Sequence, residues 1–118
     1  SNWLRALRDP ALSAVLSAMH QRPGYGWTVP ELAGIACLSR SAFADRFSQI
    51  LGQPPLSYLA EHRMRLAAWQ LQHTKQPIRH IAEIVGYASE TAFSQAFKRQ
   101  YGCAPSHFRQ QAATGSSE

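Results

Sequence analysis

FADRFSQILGQPPLSY at residues 43–58 and FSQAFKRQYGCAPSHF at residues 93–108 are two copies of one pattern. At a separation of fifty positions, aromatic residues, a glycine and a proline coincide: Phe43 with Phe93, Phe47 with Phe97, Gly52 with Gly102, Pro55 with Pro105 and Tyr58 with Phe108. Internal repetition of this length is typical of tandem supersecondary units rather than of a catalytic cleft. The chain is therefore predicted to carry one small structural device twice.

The repeat continues upstream with a shift of one residue. At a separation of forty-nine positions, apolar residues coincide again: Val29, Leu32, Ala33 and Ile35 with Ile78, Ile81, Ala82 and Ile84. A one-residue shift inside two otherwise parallel patterns belongs in a turn, which places turns near residues 36–42 and 85–91. Each copy is thus predicted to be a helix, a tight turn and a second helix.

Capping residues predict where the first three helices begin. Asp9 followed by Pro10 opens the first helix, because aspartate accepts from the free amides of the first turn and proline fits at the first helical position. Thr28, with Glu31 three residues later, is a capping box for the second helix. Ser39 is a suitable cap for the third helix.

Apolar spacing predicts the core side of these helices. In the second helix, Leu32, Ile35 and Ala36 are expected to face inward. In the third helix, Phe43 and Phe47 recur at helical spacing and are expected to be buried.

The rest of the chain follows from the same signals. A long helix from Leu56 to about His73 links the copies, and the later helices cover Ile78–Val85, Thr91–Tyr101 and Ser106 to about Gln111. No segment alternates with period two, so the chain is predicted to be all-α, with two helix-turn-helix subdomains and about seven helices.

These helices define one domain with a flanking segment at each end. The domain is expected to span residues 10–111. Residues 1–9 are expected to be a linker or a tag remnant, and residues 112–118 a disordered tail.

Composition favours an anionic partner. The chain has 118 residues and a formal net charge of +5. A small basic domain most commonly binds nucleic acid, although the charge can also merely keep the surface solvated. Cys37 and Cys103 stand alone and are expected to be small buried apolar residues of a cytosolic protein rather than a disulfide.

The outward faces of the third and sixth helices are small and polar. With the phenylalanines inward, these faces carry Arg40, Ser41, Ala44, Asp45 and Ser48 in the third helix, and Glu90, Thr91, Ser94, Gln95 and Lys98 in the sixth. A solvated helix face more often carries Lys and Glu. A face that enters a major groove needs short polar groups that can read base edges.

Each side chain type suggests a role on DNA. The Gln95 amide can pair with adenine, and Thr91 can hydrogen-bond a base or contact the thymine methyl group. Arg40, Lys98 and Arg99 could hold phosphates, and the amides at the helix N-termini could do the same. The predicted DNA-binding set is Arg40, Ser41, Ala44, Asp45, Ser48, Ser89, Glu90, Thr91, Ser94, Gln95, Lys98 and Arg99.

Asp45 needs an explanation of its own, because phosphates repel a carboxylate. It can accept from a cytosine amino group, pair with a neighbour such as Arg46 or Gln49, or act against wrong sequences. The sequence leaves these three alternatives open.

Both copies resemble the helix-turn-helix motifs of the AraC/XylS family DNA-binding domain. The second copy carries most of the family signature: Ile81-Ala82, Ile84-Val85-Gly86-Tyr87, Phe93, Phe97-Lys98, Gly102, Pro105 and Phe108-Arg109. The resemblance covers about residues 10–111 and implies seven helices, with the third and sixth as recognition helices in successive major grooves. It implies base contacts from Ser41, Ala44, Asp45, Thr91 and Gln95.

The resemblance also implies a biological setting. Such domains usually lie at the C-terminus of a longer bacterial regulator, behind a domain for effector sensing or dimerisation. The implied function is sequence-specific binding of double-stranded DNA that regulates transcription in the cytoplasm, with RNA polymerase as a further partner.

Other functions have less support in the sequence. The histidines at positions 20, 62, 73, 80 and 107 lack metal-ligand spacing, and no catalytic motif is recognisable, so neither an enzyme nor a cofactor is expected. No apolar run approaches the roughly 20 residues that cross a bilayer. Trp27 and Trp69 are expected to be packing residues. The main alternative is a helical protein-interaction module without DNA specificity, and a DNA-repair methyltransferase segment is a weaker one.

Overall fold

A computed structural model describes residues 2–116 of the chain, and every regular element in this range is an α-helix. The elements are α1 (Asn2–Arg8), α2 (Pro10–Gln21), α3 (Val29–Ala36), α4 (Arg40–Leu51), α5 (Pro55–His73), α6 (Ile78–Ile84), α7 (Glu90–Tyr101) and α8 (Pro105–Ser116). The all-α prediction is confirmed. The helices expected to be third and sixth are α4 and α7.

Both flanks of the predicted domain differ from expectation. Residues 1–9 were expected to be a linker or a tag remnant, whereas α1 occupies Asn2–Arg8 and packs on α2 and α4. Ala6 of α1 is fully buried, which gives this short helix a place in the core. The last helix was expected to end near Gln111, but α8 continues to Ser116. Alanine, present at 112 and 113, has the highest helix propensity, which favours this extension. Residues 117 and 118 of the expected tail, like Ser1, lie outside the described range.

The chain forms two compact units, residues up to Ala60 and residues from Glu61. In the first unit, the Phe47 ring packs edge-on against Phe43 at 5.8 Å and against Tyr58 at 5.6 Å between ring centroids. Around these rings lie buried residues from α1 to α5: Ala6, Leu12, Val15, Leu16, Met19, Leu32, Ala33, Ala36 and Leu59.

The second unit repeats this aromatic arrangement. Phe97 packs against Phe93 at 5.8 Å and against Phe108 at 5.2 Å between ring centroids. Ile81, Ala82 and Val85 complete the buried cluster with residues of α5. The matching spacings of the two sequence copies therefore produce matching cores.

Each helix-turn-helix contains the same left-handed turn. In the first unit the left-handed residue is Cys37, with φ 59°, and the amide of Leu38 donates to the carbonyl of Ala33 at 3.0 Å. In the second unit Gly86 has φ 89°, and the corresponding bond is 2.9 Å long. This pattern closes a helix with a left-handed residue. Cys37 was expected to be buried, but it is exposed because it lies at the tip of this turn.

The capping box of α3 and the side chain of Arg109 fix two further helix ends. The Thr28 hydroxyl accepts from the amide of Glu31 at 3.3 Å at the start of α3. The Glu31 carboxylate accepts from the hydroxyl of Tyr25 at 2.7 Å, which ties the preceding loop to the helix. In the second unit, Arg109 donates to the carbonyls of Leu71 at 3.2 Å and Thr74 at 3.3 Å, so this residue of the family signature satisfies the C-terminal end of α5.

Two side chains expected in the core lie at the surface. Ile35 is 36% exposed. The buried stripe of α3 consists of Leu32, Ala33 and Ala36, and the Ile35 side chain lies at the edge of this stripe. Trp69 is 54% exposed on α5, and its ring lies tilted against that of His73 with ring centroids 4.8 Å apart. No helix among the described residues is long and apolar enough to cross a membrane.

Candidate nucleic-acid interface

α4 and α7 begin and end in the same way. The hydroxyls of Ser39 and Ser89 each accept from an amide of the first turn, at 3.2 Å and 3.0 Å respectively. The helices end at Gly52 and Gly102, whose φ angles are 79° and 80°. Identical caps at both ends give the two helices the same length and the same phase relative to their cores. Ser89, a predicted DNA-binding residue, is therefore also the cap of α7.

The buried phenylalanines define which face of each helix is free. Phe43 and Phe47 in α4, and Phe93 in α7, have no exposed surface, and neither does Phe97. Most of the predicted DNA-binding residues are exposed: Arg40, Ser41, Asp45, Ser89, Glu90, Thr91, Gln95, Lys98 and Arg99. The half-buried members are Ala44, Ser48 and Ser94, all of which have small side chains. A small residue lets another surface approach the helix closely.

On α7, five of the predicted residues line one open groove. It has a volume of about 280 Å³ and is lined by Glu90, Thr91, Ser94, Gln95, Lys98 and Ala104. Thr91 and Gln95 thus lie beside Lys98 on one continuous surface. Lys98 and Arg99 occupy the last turn, where basic side chains also interact favourably with the helix dipole.

A second groove lies at the turn of the same motif. It has a volume of about 290 Å³, and its lining includes Arg79 of α6 together with Tyr87, Ser89 and Glu90. Arg79 was not in the predicted set, although it is an exposed cation beside the start of α7. The sequence pattern does not show that Arg79 lies near α7, because only the turn between α6 and α7 brings Arg79 to the start of that helix.

The structure narrows the alternatives for Asp45. Its neighbour Arg46 donates through Nε to Oδ2 of Asp9 at 2.7 Å, and so is engaged elsewhere. Within residues 2–116, Asp45 makes neither an ion pair nor a hydrogen bond through its carboxylate. Pairing with Arg46 is therefore not observed. Two roles remain for the Asp45 carboxylate, and both need it to be unengaged: accepting a hydrogen bond from a base, or acting against wrong sequences.

The Asp9–Arg46 pair itself was not predicted. Asp9 was recognised only as a helix cap, and its side chain does accept from the amides of Ala11 and Leu12. Arg46 is thirty-seven positions further along the chain, beyond the reach of any local pattern.

Comparison with known proteins agrees with this geometry. A family model described as a helix-turn-helix domain matches residues 32–111. The HTH-type transcriptional regulator AlkR of Acinetobacter baylyi is 52% identical over 110 residues, which cover 93% of this chain and 36% of that protein. The transcriptional activator RclR of Escherichia coli is 43% identical over 109 residues, covering 92% of this chain and 38% of that protein. The chain thus spans little more than a third of these relatives.

Two solved structures share the fold over most of the chain. The DNA-binding domain of AdpA, solved in complex with a target DNA, aligns with a TM-score of 0.84 and 27% identity, covering 93% of this chain and 98% of that domain. An AraC-type regulator structure from Chromobacterium violaceum aligns with a TM-score of 0.81 and 28% identity, covering 88% of this chain and 93% of that one.

Proposed function

The chain belongs to the AraC-type family of helix-turn-helix DNA-binding domains, and from this premise we propose that it binds duplex DNA sequence-specifically and regulates transcription. The observation that carries the proposal is the pair of equivalent helices, α4 and α7, each with an exposed face of polar and charged residues opposite a buried phenylalanine stripe. The likeness to a domain solved on its target DNA supports a DNA-binding role for these faces.

We propose that α7 reads bases directly. Gln95 offers an amide that can bond adenine at two points, and Thr91 offers a hydroxyl and a methyl group. Both line the open groove of α7 with Lys98, which would neutralise a phosphate. Arg99 in the same last turn is a second phosphate ligand. The half-buried Ser94 permits close approach, and Ser89 with Glu90 would meet DNA at the start of the helix.

We propose a weaker direct readout by α4. Ala44 can contact only a methyl group, and Ser41 offers one hydroxyl. Asp45 either accepts from a cytosine amino group or repels sequences that bring phosphate close. Arg40 at the start of α4 would bind phosphate, and half-buried Ser48 gives room for the backbone of the DNA.

We further propose that the chain is the DNA-binding part of a longer bacterial regulator. The relatives it matches are bacterial proteins nearly three times as long, which leaves room in them for sensing or dimerisation. The other partner proposed is RNA polymerase, and the cytoplasm, which holds the bacterial chromosome, is the proposed location. No catalytic role is proposed.

Selection of bound duplexes from a random pool tests this function. The expected result is an enriched sequence that the chain binds at least a thousandfold more tightly than random duplex, a typical specificity ratio. Equal affinity for enriched and random duplexes at physiological salt would reject specific recognition. That result would favour the protein-interaction alternative.

A further inference from the structure

An ion pair ties α4 to the junction between α1 and α2. The Nε of Arg46 donates to Oδ2 of Asp9 at 2.7 Å. The other oxygen, Oδ1, accepts from the amides of Ala11 at 3.1 Å and Leu12 at 3.4 Å. The Asp9 side chain is 9% exposed and the Arg46 side chain 46% exposed. The Asp9 carboxylate is therefore held in place by the backbone of α2. The longer, half-exposed side chain of Arg46 connects α4 to it.

Packing strengthens the same connection. α1 contacts both α2 and α4, and its Ala6 is fully buried in the core of the first unit. The amide of Asp9 donates to the carbonyl of Ala6 at 3.2 Å, so α1 is bonded directly to this residue. α4 is thus held along its flank as well as through Phe43 and Phe47.

The second unit has no counterpart of this pair. Fifty positions after Arg46 stands Ala96, which packs against the second hydrophobic cluster. Within residues 2–116, α7 makes no ion pair, although it has the same caps and the same phenylalanine stripe as α4. The ion pair is therefore not a requirement of the helix-turn-helix itself, and its role is specific to α4.

We propose that Asp9 and Arg46 are positioning residues that set the rotation of α4 about its axis, and with it the base edges that Ser41, Ala44 and Asp45 meet. The inference rests on the DNA-binding function proposed above. Directional contacts to bases need a fixed donor and acceptor geometry, and the short side chains of α4 cannot compensate for a rotation of the helix. A charge-assisted bond to a carboxylate that is itself held by two amides restricts such a rotation.

Two conservative variants separate positioning from charge and from capping. Asp9→Asn keeps a good N-cap for α2 and removes the negative charge that binds Arg46. Arg46→Lys keeps the positive charge and loses the planar donor group. The matched control is Arg8→Lys, the same substitution at an exposed residue of α1.

The probe is the duplex selected by the parent chain from a random pool, with each half scrambled in turn. Ser41→Ala and Gln95→Ala identify the halves read by α4 and α7. For each half, the readout is the affinity for the intact duplex divided by the affinity for the duplex in which that half is scrambled. It is measured at a temperature at which circular dichroism shows that every variant is folded. For the α4 half, Asp9→Asn and Arg46→Lys should lower this ratio about threefold to thirtyfold. The ratio for the α7 half, and both ratios in Arg8→Lys, should equal those of the parent.

Several results would overturn the proposal. An unchanged α4 ratio in both variants would show that the pair only adds stability, and an equal fall in both ratios would show a general loss of structure. If Ser41→Ala changed neither half, α4 would have no readout to position. These results differ from failure of the proposed function, in which the parent itself would not prefer the selected duplex to random DNA.

Discussion

At the residue scale, the backbone conformation of single positions determines how the helices end. Cys37, Gly52, Gly86 and Gly102 have φ angles between 59° and 89°, and each closes a helix. Three of the four are glycine, the residue that adopts this conformation without a steric penalty. Cys37 occupies the same turn as Gly86 at a cost of roughly 1–2 kcal/mol. The sequence repeat predicts a turn near both residues but does not show that the position is left-handed.

Two glycines of the first unit should respond oppositely to the same substitution. A Cβ added at Gly34, inside α3, or at Gly52, after α4, would have no atom within 4 Å, so packing is not involved. Gly34→Ala should stabilise the domain by about 0.5–1 kcal/mol, because alanine restricts the unfolded chain and favours the helix. Gly52→Ala should destabilise it by about 1 kcal/mol, because the φ angle there is 79°. Chemical denaturation of both variants measures the two signs, and equal signs would contradict the argument.

The loop before α3 carries a pH-dependent contact. The hydrogen bond from the Tyr25 hydroxyl lowers the pKa of Glu31 below its ordinary 4.5, and Thr28 acts in the same direction. A lowered carboxyl pKa stabilises the fold fully above the unfolded pKa, and this contribution is lost as pH falls through the folded pKa. Tyr25→Phe should therefore raise the pKa of Glu31, as followed by NMR of its side-chain carboxyl. An unchanged titration midpoint of Glu31 in the variant would show that the Tyr25 hydroxyl does not stabilise the ionised carboxylate.

At the element scale, the phenylalanine stripes hold the recognition helices in place. Phe47 and Phe97 are fully buried at equivalent positions. Replacing either with alanine should cost about 3–5 kcal/mol, a large share of the roughly 5–15 kcal/mol that stabilises a small domain. Thermal unfolding measures the loss. Trp69→Ala is the control, because a large aromatic residue that is 54% exposed should cost far less. Equal losses in the three variants would contradict the assigned phase of α4 and α7.

The recognition helices could be predicted from sequence because their signals are local. Ser39 and Gly52 bound α4 as expected, and the stripe of Phe43 and Phe47 gave the correct outward face. α1 could not be predicted in this way, because a seven-residue helix depends on packing against α2 and α4 rather than on its own propensity. The pairing of Asp9 with Arg46 was missed for the same physical reason, since it exists only after the chain folds back.

The two recognition helices should contribute unequally to base preference. Gln95→Ala should relax the preference at one base pair by about 1–3 kcal/mol, because its amide can make two bonds to adenine. Ala44→Gly should change base preference much less, although it weakens the helix. Gln100→Ala is the matched control, since it removes an exposed glutamine from α7 outside the predicted face. Binding-site profiles of the three variants decide the point. An unchanged Gln95→Ala profile would move the readout away from α7.

At the scale of the whole molecule, charge governs how strongly the chain meets any DNA. The net charge is +5, and basic residues occur in both units. The recognition faces themselves are mixed, with Arg40 and Asp45 on α4, and Glu90 with Lys98 and Arg99 on α7. Attraction to phosphate is thus expected to be general to the protein, whereas we propose that discrimination between sequences depends on the few polar side chains of the two faces.

Affinity should therefore fall steeply with salt, and the slope should identify which cations touch phosphate. Each neutralised phosphate contributes about 0.9 to the slope of log affinity against log salt, through release of counterions. Lys98→Ala and Arg99→Ala should each reduce the slope by about one. Lys75→Ala removes the same charge from an exposed residue between α5 and α6, outside the predicted face, and should leave the slope unchanged. Two outcomes would contradict this assignment: all three variants lower the affinity without changing the slope, or all three change the slope equally. In either case Lys98 and Arg99 would act only through the general electrostatic field of the protein. A selective change at α7 would instead place that helix against the phosphate backbone.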